Sequence, residues 1–341
     1  MRHEALDFVG SPLGVRLVSC EADMRVPDAG LRSVVYLGSG TSPDDFHAIG
    51  TGFLVDLKRV PGSVYYLITA DHVAKRLKTP FAIRFNDREN KSHVQQSQIP
   101  FKWWRHPTES ESVDAAVFPW GLRGRFATFP VTRFLSDLNL EATRIGIGDE
   151  IFIVGLFRKW AGRAKFSPVV RHGHIAMMAD EPIPTVNYGD APMHLIEAFS
   201  LKGMSGSPVM VRQTIPIPLA SRDEDEPENV LTLGNMYLLG LVHGYFRVDE
   251  VKQVWHSGIS MVVPSTKILE ILDQPKLLEY EQKIVDAMKK RKDDKPVEAA
   301  LDEEPTQLTT PKKGRPIAIP IPSRDDVMDV FKKATRKRDK K

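Results

Sequence analysis

Short runs rich in β-branched and aromatic residues recur along this chain, separated by clusters of Gly, Pro, Asn and Asp. They fall at 33–37, 49–57, 64–70, 81–86, 113–119, 151–157, 168–178, 194–199, 207–213, 236–243 and 258–263. Few stretches before residue 264 sustain a helical period. Many short strands at this spacing predict an all-β protein of sandwiches or barrels. A chain of 341 residues normally holds more than one core, and 42% hydrophobic residues suffice for packed barrels. Residues 120–150 read as the link between two β-units, and the loop 213–235, with the acidic run Asp223–Glu226, as a solvated insertion.

Three of these strand ends carry chemistry. Gly203-Met204-Ser205-Gly206-Ser207-Pro208 sets a small hydroxyl among glycines in a sharp turn. A serine is a weak nucleophile that needs a base to take its proton and N–H donors to hold the oxyanion that follows. Flanking glycines reach the positive φ that aims such donors. Upstream, Tyr65–Ile68 is an apolar run that ends in Thr69-Ala70-Asp71-His72-Val73, where His72 is a candidate general base. Between them, Asp114 opens the apolar run Ala115–Phe118 and could fix the tautomer of His72. Taken singly, each reads as an ordinary turn residue. Jointly they stand in the chain order His, Asp, Ser, which differs from the order in subtilisins and α/β-hydrolases.

On these motifs the chain resembles the trypsin-like (chymotrypsin-fold) serine peptidases. Gly50-Thr51-Gly52-Phe53 is similar to that family's first-barrel strand, Thr69–Val73 to its base motif and Val113–Val117 to its aspartate motif. Ile147–Gly155 resembles a strand of the bacterial high-temperature-requirement type. Leu239–Gly244 and Gly258–Pro264 resemble the strands after the nucleophile, so the likeness runs from Val34 to Leu272. The Ser-Gly-Ser-Pro sequence at 205–208 is similar to glutamyl endopeptidases, and no PDZ-like domain is visible. The resemblance implies two six-stranded antiparallel β-barrels, the first at about 31–125 and the second at about 145–264, followed by a helix over 265–273. It implies His72, Asp114 and Ser205 as a triad and the N–H groups of Gly203 and Ser205 as the oxyanion hole. Phe199, His243, Gly244 and Tyr245 would line the substrate pocket. Such an enzyme acts on protein or peptide substrates and needs no cofactor.

Departures from that pattern are informative. Met204 stands where digestive members carry an aspartate that pairs with a freed N-terminus, and a charged Asp71 precedes His72. No acidic residue lies at the expected pocket base near Phe199, which argues against a preference for Lys or Arg before the cut. His243 sits within one position of a histidine that reads acidic side chains in glutamyl endopeptidases, or else it supports Asp114. His172 and His174, with His194 downstream, share a strand face simply because strands have a period of two, so no metal site is expected.

The single cysteine, Cys20, cannot form an internal bridge, and residues 1–30 read as an extension without an apolar leader. No run approaches the length of a membrane span, and a cytoplasmic protein is expected. Residues 274–341 read as a tail: a helix over 276–292, a linker over 293–322 and an amphipathic basic helix from Ser323 to Arg338. From residue 276 on, 18 Lys and Arg face 13 Asp and Glu, so the chain's net +3 resides there. The tail offers a docking segment for a protein partner. With Phe331 as its one aromatic in that terminal helix, it lacks the stacking groups of single-strand binders, which argues against nucleic acid. A catalytically silent, protein-binding member of the family is the competing reading.

Overall fold

The computed structural model describes residues 26–57, 65–87, 89–97, 102–121, 127–157, 162, 165–214, 217–218, 231–232, 235–250, 253–293, 306–309 and 317–320. The chain divides into two units, Met1–Val285 and Asp286–Lys341.

In the first unit a short helix α1 (Asp28–Ser33) leads into a sheet built from β1 (Val34–Ser39), β2 (His47–Asp56), β3 (Tyr65–Thr69), β4 (Ala82–Asn86), β5 (Ser92–Gln96), β6 (Trp104–Arg105), β7 (Ala116–Gly121) and β8 (Phe129–Pro130). Helix α2 (Asp71–Ala74) follows β3. The strands run in the order β5-β4-β1-β2-β3-β7-β6, and β8 pairs with β2 in parallel. Helix α3 (Asp137–Thr143) precedes a closed barrel with the order β10-β13-β18-β17-β14-β9. Its strands are β9 (Glu150–Gly155), β10 (Val169–Met177), β13 (His194–Glu197), β14 (Pro208–Arg212), β17 (Met236–Glu250) and β18 (Gln253–Pro264). Two hairpins project between them: β11 (Pro182–Thr185) with β12 (Gly189–Pro192), and β15 (Ile217–Pro218) with β16 (Leu231–Thr232).

The expectation of two closed barrels is therefore corrected. One unit closes, and the other is an eight-stranded sheet. Closure needs edge strands long enough to exchange ladder hydrogen bonds. Here one path end, β6, is two residues long, and the other, β5, is the polar Ser-His-Val-Gln-Gln. That strand has no fully buried residue, so it carries no hydrophobic alternation by which the sequence could announce it.

The barrel interior is filled by Ile151, Ile153, Ile175, Ile196, Val209, Val211, Leu239, Val242 and Val262. Met204 joins them and is fully buried. Met204 is thus an apolar anchor for the turn that carries Ser205. Truncating a buried methionine typically costs about 2–5 kcal/mol.

A buried threonine on β2 joins sheet to barrel. Thr51 Oγ1 donates to the Gly203 carbonyl (2.8 Å) and accepts from the Leu156 N–H (3.0 Å), while the Thr51 N–H donates to the Ser205 carbonyl (3.2 Å). The Thr51 carbonyl in turn accepts from Thr69 Oγ1 at 2.6 Å. Gly206, at φ +84°, presses its Cα into this junction, where a Cβ would collide with the Thr51 carbonyl and Thr69 Oγ1.

Helix α4 (Ser265–Leu272) buries Ile268, Ile271 and Leu272 and leaves Leu269 half-buried against the core. Ser265 does not cap it and instead donates to the Leu135 carbonyl at 2.5 Å. Helix α5 (Pro275–Asp293) packs Leu277 and Tyr280 on the core. In the expected linker, β19 (Thr306–Thr309) pairs with β20 (Ile317–Pro320), a hairpin that the Pro- and charge-rich composition did not suggest. The terminal amphipathic helix and the run Asp223–Glu226 lie outside the described residues. No described helix is long and apolar enough to cross a membrane.

Thr51→Val keeps the shape but leaves the Gly203 carbonyl and the Leu156 N–H unpaired, and should lower stability by about 2–4 kcal/mol. Gly206→Ala should cost a similar amount, whereas Gly244→Ala, around which nothing lies within 4 Å, should leave the urea midpoint unchanged. A wild-type midpoint for Thr51→Val would show that the hydroxyl does not carry the join. His194 is buried, its Nδ1 accepts from the Ala179 N–H (3.1 Å), and burial pushes its pKa down to about 4. A free imidazole titrates near about 6.5, so the neutral ring contributes stability above that pH which is lost as pH falls toward about 4, on the order of 3 kcal/mol in all. Denaturation midpoints of His194→Leu across this window should fall less steeply than those of the wild type.

Candidate active site

His72 and Asp114 meet because β3 and β7 pair. The register sets Thr69 opposite Ala116, so the residues just after β3 face those just before β7. Beyond Thr69 the chain turns into α2, with the Ala70 carbonyl accepting from the Val73 and Ala74 N–H groups, and His72 lies in that turn. Asp114 is fully buried and grips His72 at two points. Its Oδ1 accepts from the His72 backbone N–H (2.9 Å), and its Oδ2 lies 2.7 Å from His72 Nδ1.

A second imidazole shares the same oxygen. His243 Nδ1 lies 2.5 Å from Asp114 Oδ2, and the two rings stand edge to face at 5.8 Å. An ionised carboxylate only accepts, so each ring presents an Nδ1–H to Asp114, and in the neutral ring the lone pair is then on Nε2. Burial works against the Asp114 charge, yet the hydrogen bonds from His243 and His72 outweigh it. They hold the carboxyl well below the ordinary carboxylate range. The His72 side chain remains 29% exposed, so its ring reaches the surface while its partner does not.

Ser205 enters from the barrel side. Its hydroxyl donates to the His243 carbonyl at 3.2 Å, and among the described residues it makes no hydrogen bond to His72. The turn is fixed by Met204 N–H to Leu201 carbonyl (2.9 Å) and Gly206 N–H to Val242 carbonyl (2.8 Å). Gly203 sits at φ +103°, which favours glycine. Among the described residues, the N–H groups of Gly203 and Ser205 donate to no acceptor, so two donors stand ready on either side of Met204.

Of the residues expected in a substrate pocket, Phe199 is 51% exposed, and Gly244 and Tyr245 are half-buried. Phe199 is the nearest side chain to Gly258, about a van der Waals contact from where a Cβ would stand (3.8 Å). Ser200 and Ser260 are buried behind it and bonded to each other at 2.9 Å. His243, expected here too, turns its Nδ1 to Asp114.

Sequence reasoning left Asp71 unexplained and missed Tyr188 entirely. Asp71 is fully buried and paired with Arg105 Nε (2.6 Å) and Lys75 Nζ (2.8 Å). Tyr188, at the turn between β11 and β12, donates its hydroxyl to Asp71 Oδ2 at 3.2 Å. The signal for that hairpin was the turn-forming Asn187 and Gly189 between short strand-like runs.

Ligand atoms of His72, Asp114 and His243 lie within 4.8 Å of one another, as do those of His106, Glu109 and Glu270. In the second cluster the lone pairs already meet donors. Lys267 Nζ contacts Glu109 (3.1 Å) and Glu270 (3.2 Å), and His106 Nε2 contacts Glu270 (2.5 Å). His172 pairs with Glu150 at 2.8 Å and packs on His174, while His194 serves the Ala179 N–H.

No family model matches the sequence, and no curated protein matches it. Among solved structures, the chain is similar to the apo MamO protease domain from Magnetospirillum magneticum, at 17% identity and a TM-score of 0.45, covering 72% of this chain and 99% of that one. It is also similar to Deg5, at 19% identity and a TM-score of 0.37, covering 56% and 80% respectively. A third is the HtrA-type protease AlgW with decapeptide, at 15% identity and a TM-score of 0.40, covering 75% and 65%. At such identities and TM-scores, the chemistry has to be read from the side chains themselves.

Proposed function

We propose that this protein is a serine endopeptidase with Ser205 as nucleophile, His72 as general base and Asp114 as the orienting carboxylate. The observation that carries the reading is the two-point hold of Asp114 on His72, which leaves Nε2 clear of the carboxylate, while Gly206 lies against Thr69 and Ala70 and so brings the Ser205 turn to the segment that bears His72. In the reaction, the Ser205 hydroxyl leaves the His243 carbonyl, gives its proton to His72 Nε2 and forms a bond to the peptide carbonyl carbon. The oxyanion accepts from the Gly203 and Ser205 N–H groups. Loss of one such donor typically lowers turnover about 10²–10³-fold. Collapse breaks the C–N bond as His72 returns the proton to the leaving amine, and water then repeats the sequence on the acyl-enzyme.

The pocket side is apolar at Phe199 and Leu201, which are partly exposed, with the Ser200 and Ser260 hydroxyls behind. With its Nδ1 committed to Asp114, His243 has only Nε2 left for reading substrate.

The catalytically silent reading draws on one observation, the bond from Ser205 to the His243 carbonyl rather than to His72. Hydrogen bonds in unliganded sites are often misaligned and tighten when substrate binds, so this geometry leaves the enzyme reading standing. A fluorophosphonate probe separates the two. Stoichiometric labelling at Ser205, lost in Ser205→Ala and reduced at least about 10³-fold in rate in His72→Ala, is expected. Wild-type protein that stays unlabelled at millimolar probe would establish the silent module.

A further inference from the structure

Behind the candidate triad lies a second, wholly buried carboxylate, and a phenol enters the gap beside it. Asp71 and Asp114 flank His72 in space, and both are fully buried. Like charges in low dielectric repel strongly unless each is paired. Asp114 is served by His72 and His243. Asp71 is served by Arg105, at 2.6 Å, and Lys75, at 2.8 Å.

Tyr188 reaches into this gap from the β11–β12 hairpin, a different part of the chain from either carboxylate. Its hydroxyl donates to Asp71 Oδ2 at 3.2 Å. Its ring stands edge-on to His243 at 5.8 Å, and Lys75 Nζ sits over its face at 5.1 Å. Burial, and then the charges of Asp114 and Asp71, push the phenol far above its ordinary range, so it remains a neutral donor to Asp71.

We infer that Tyr188 is a positioning residue for the triad: its hydroxyl, anchored on the Lys75–Asp71–Arg105 ion cluster, fixes the phenol edge-on against His243, and His243 shares Asp114 Oδ2 with His72. The phenol touches neither substrate nor the reacting atoms, so it acts through His243 on the carboxylate. This inference rests on the serine-peptidase reading for its kinetic consequence, though not for its structural one. Asp71 thereby has a use: held by two cations, it is the fixed end against which the hydroxyl is aligned.

Tyr188→Phe in the full chain removes one oxygen and keeps the ring against His243 and Lys75. Expected is a kcat for peptide cleavage lowered about tenfold or more with KM within about twofold, since a hydrogen bond to a charged group is lost but no substrate contact is. The low-field proton resonances of the two Nδ1–H groups facing Asp114 should also move, whether or not a substrate is present. Unshifted resonances, or a shifted spectrum with unchanged kcat, would overturn the inference. Should wild-type protein prove inert toward the fluorophosphonate probe, the peptidase reading fails, and the resonance comparison alone then decides whether Tyr188 acts through His243 on Asp114.

Discussion

Thr51 makes one short connection on which the arrangement of the site depends. The sheet side supplies His72 and Asp114, and the barrel side supplies Ser205, so the two β-layers must meet in a fixed register. The Thr51 hydroxyl donates to the carbonyl of Gly203 and accepts from the first N–H after β9, while its own N–H reaches the carbonyl of Ser205. Each of these groups is buried, where an unmade hydrogen bond is expensive, so only one relative placement satisfies all of them. Gly206 completes the joint because its missing side chain lets the nucleophile turn lie directly on the Thr51 carbonyl.

Around this joint the charges are arranged in paired shells. Asp114 is fully buried yet ionised because two imidazoles serve it, and a buried carboxylate without them would take up a proton instead. Asp71 is equally buried and is neutralised from the outside by two long cationic side chains. Sharing one carboxylate oxygen also links the two histidines, since a proton gained by one alters the field at the other.

Much of this was legible in the sequence, and the failures have physical causes. His72, Asp114 and Ser205 could be found because each ends or opens an apolar run whose pairing partners were themselves readable, and the structure brings the first two into contact. The barrel strands β9, β14 and β17 stood out because both of their faces are largely buried. Strands β5 and β6 did not, because an exposed or two-residue strand has no hydrophobic pattern. Among the described residues the eight-stranded sheet stays open, and those same two strands are the ends of its path. The shared role of His243 could be weighed but not settled, since it depends on how a ring turns in space. Tyr188 was out of reach because its importance comes from carboxylates more than seventy positions away.

The packing of Met204 inside the barrel has a further consequence for how the site responds to its surroundings. A nucleophile turn secured by an ion pair loosens when salt screens the charges or acid neutralises them. Here the same turn is held by a thioether among isoleucines and valines. Ionic strength and moderate acidity therefore act on the charged side chains around the turn and leave its backbone shape alone. Cold is the condition to which such an anchor is sensitive, because the driving force for apolar burial weakens as water is cooled.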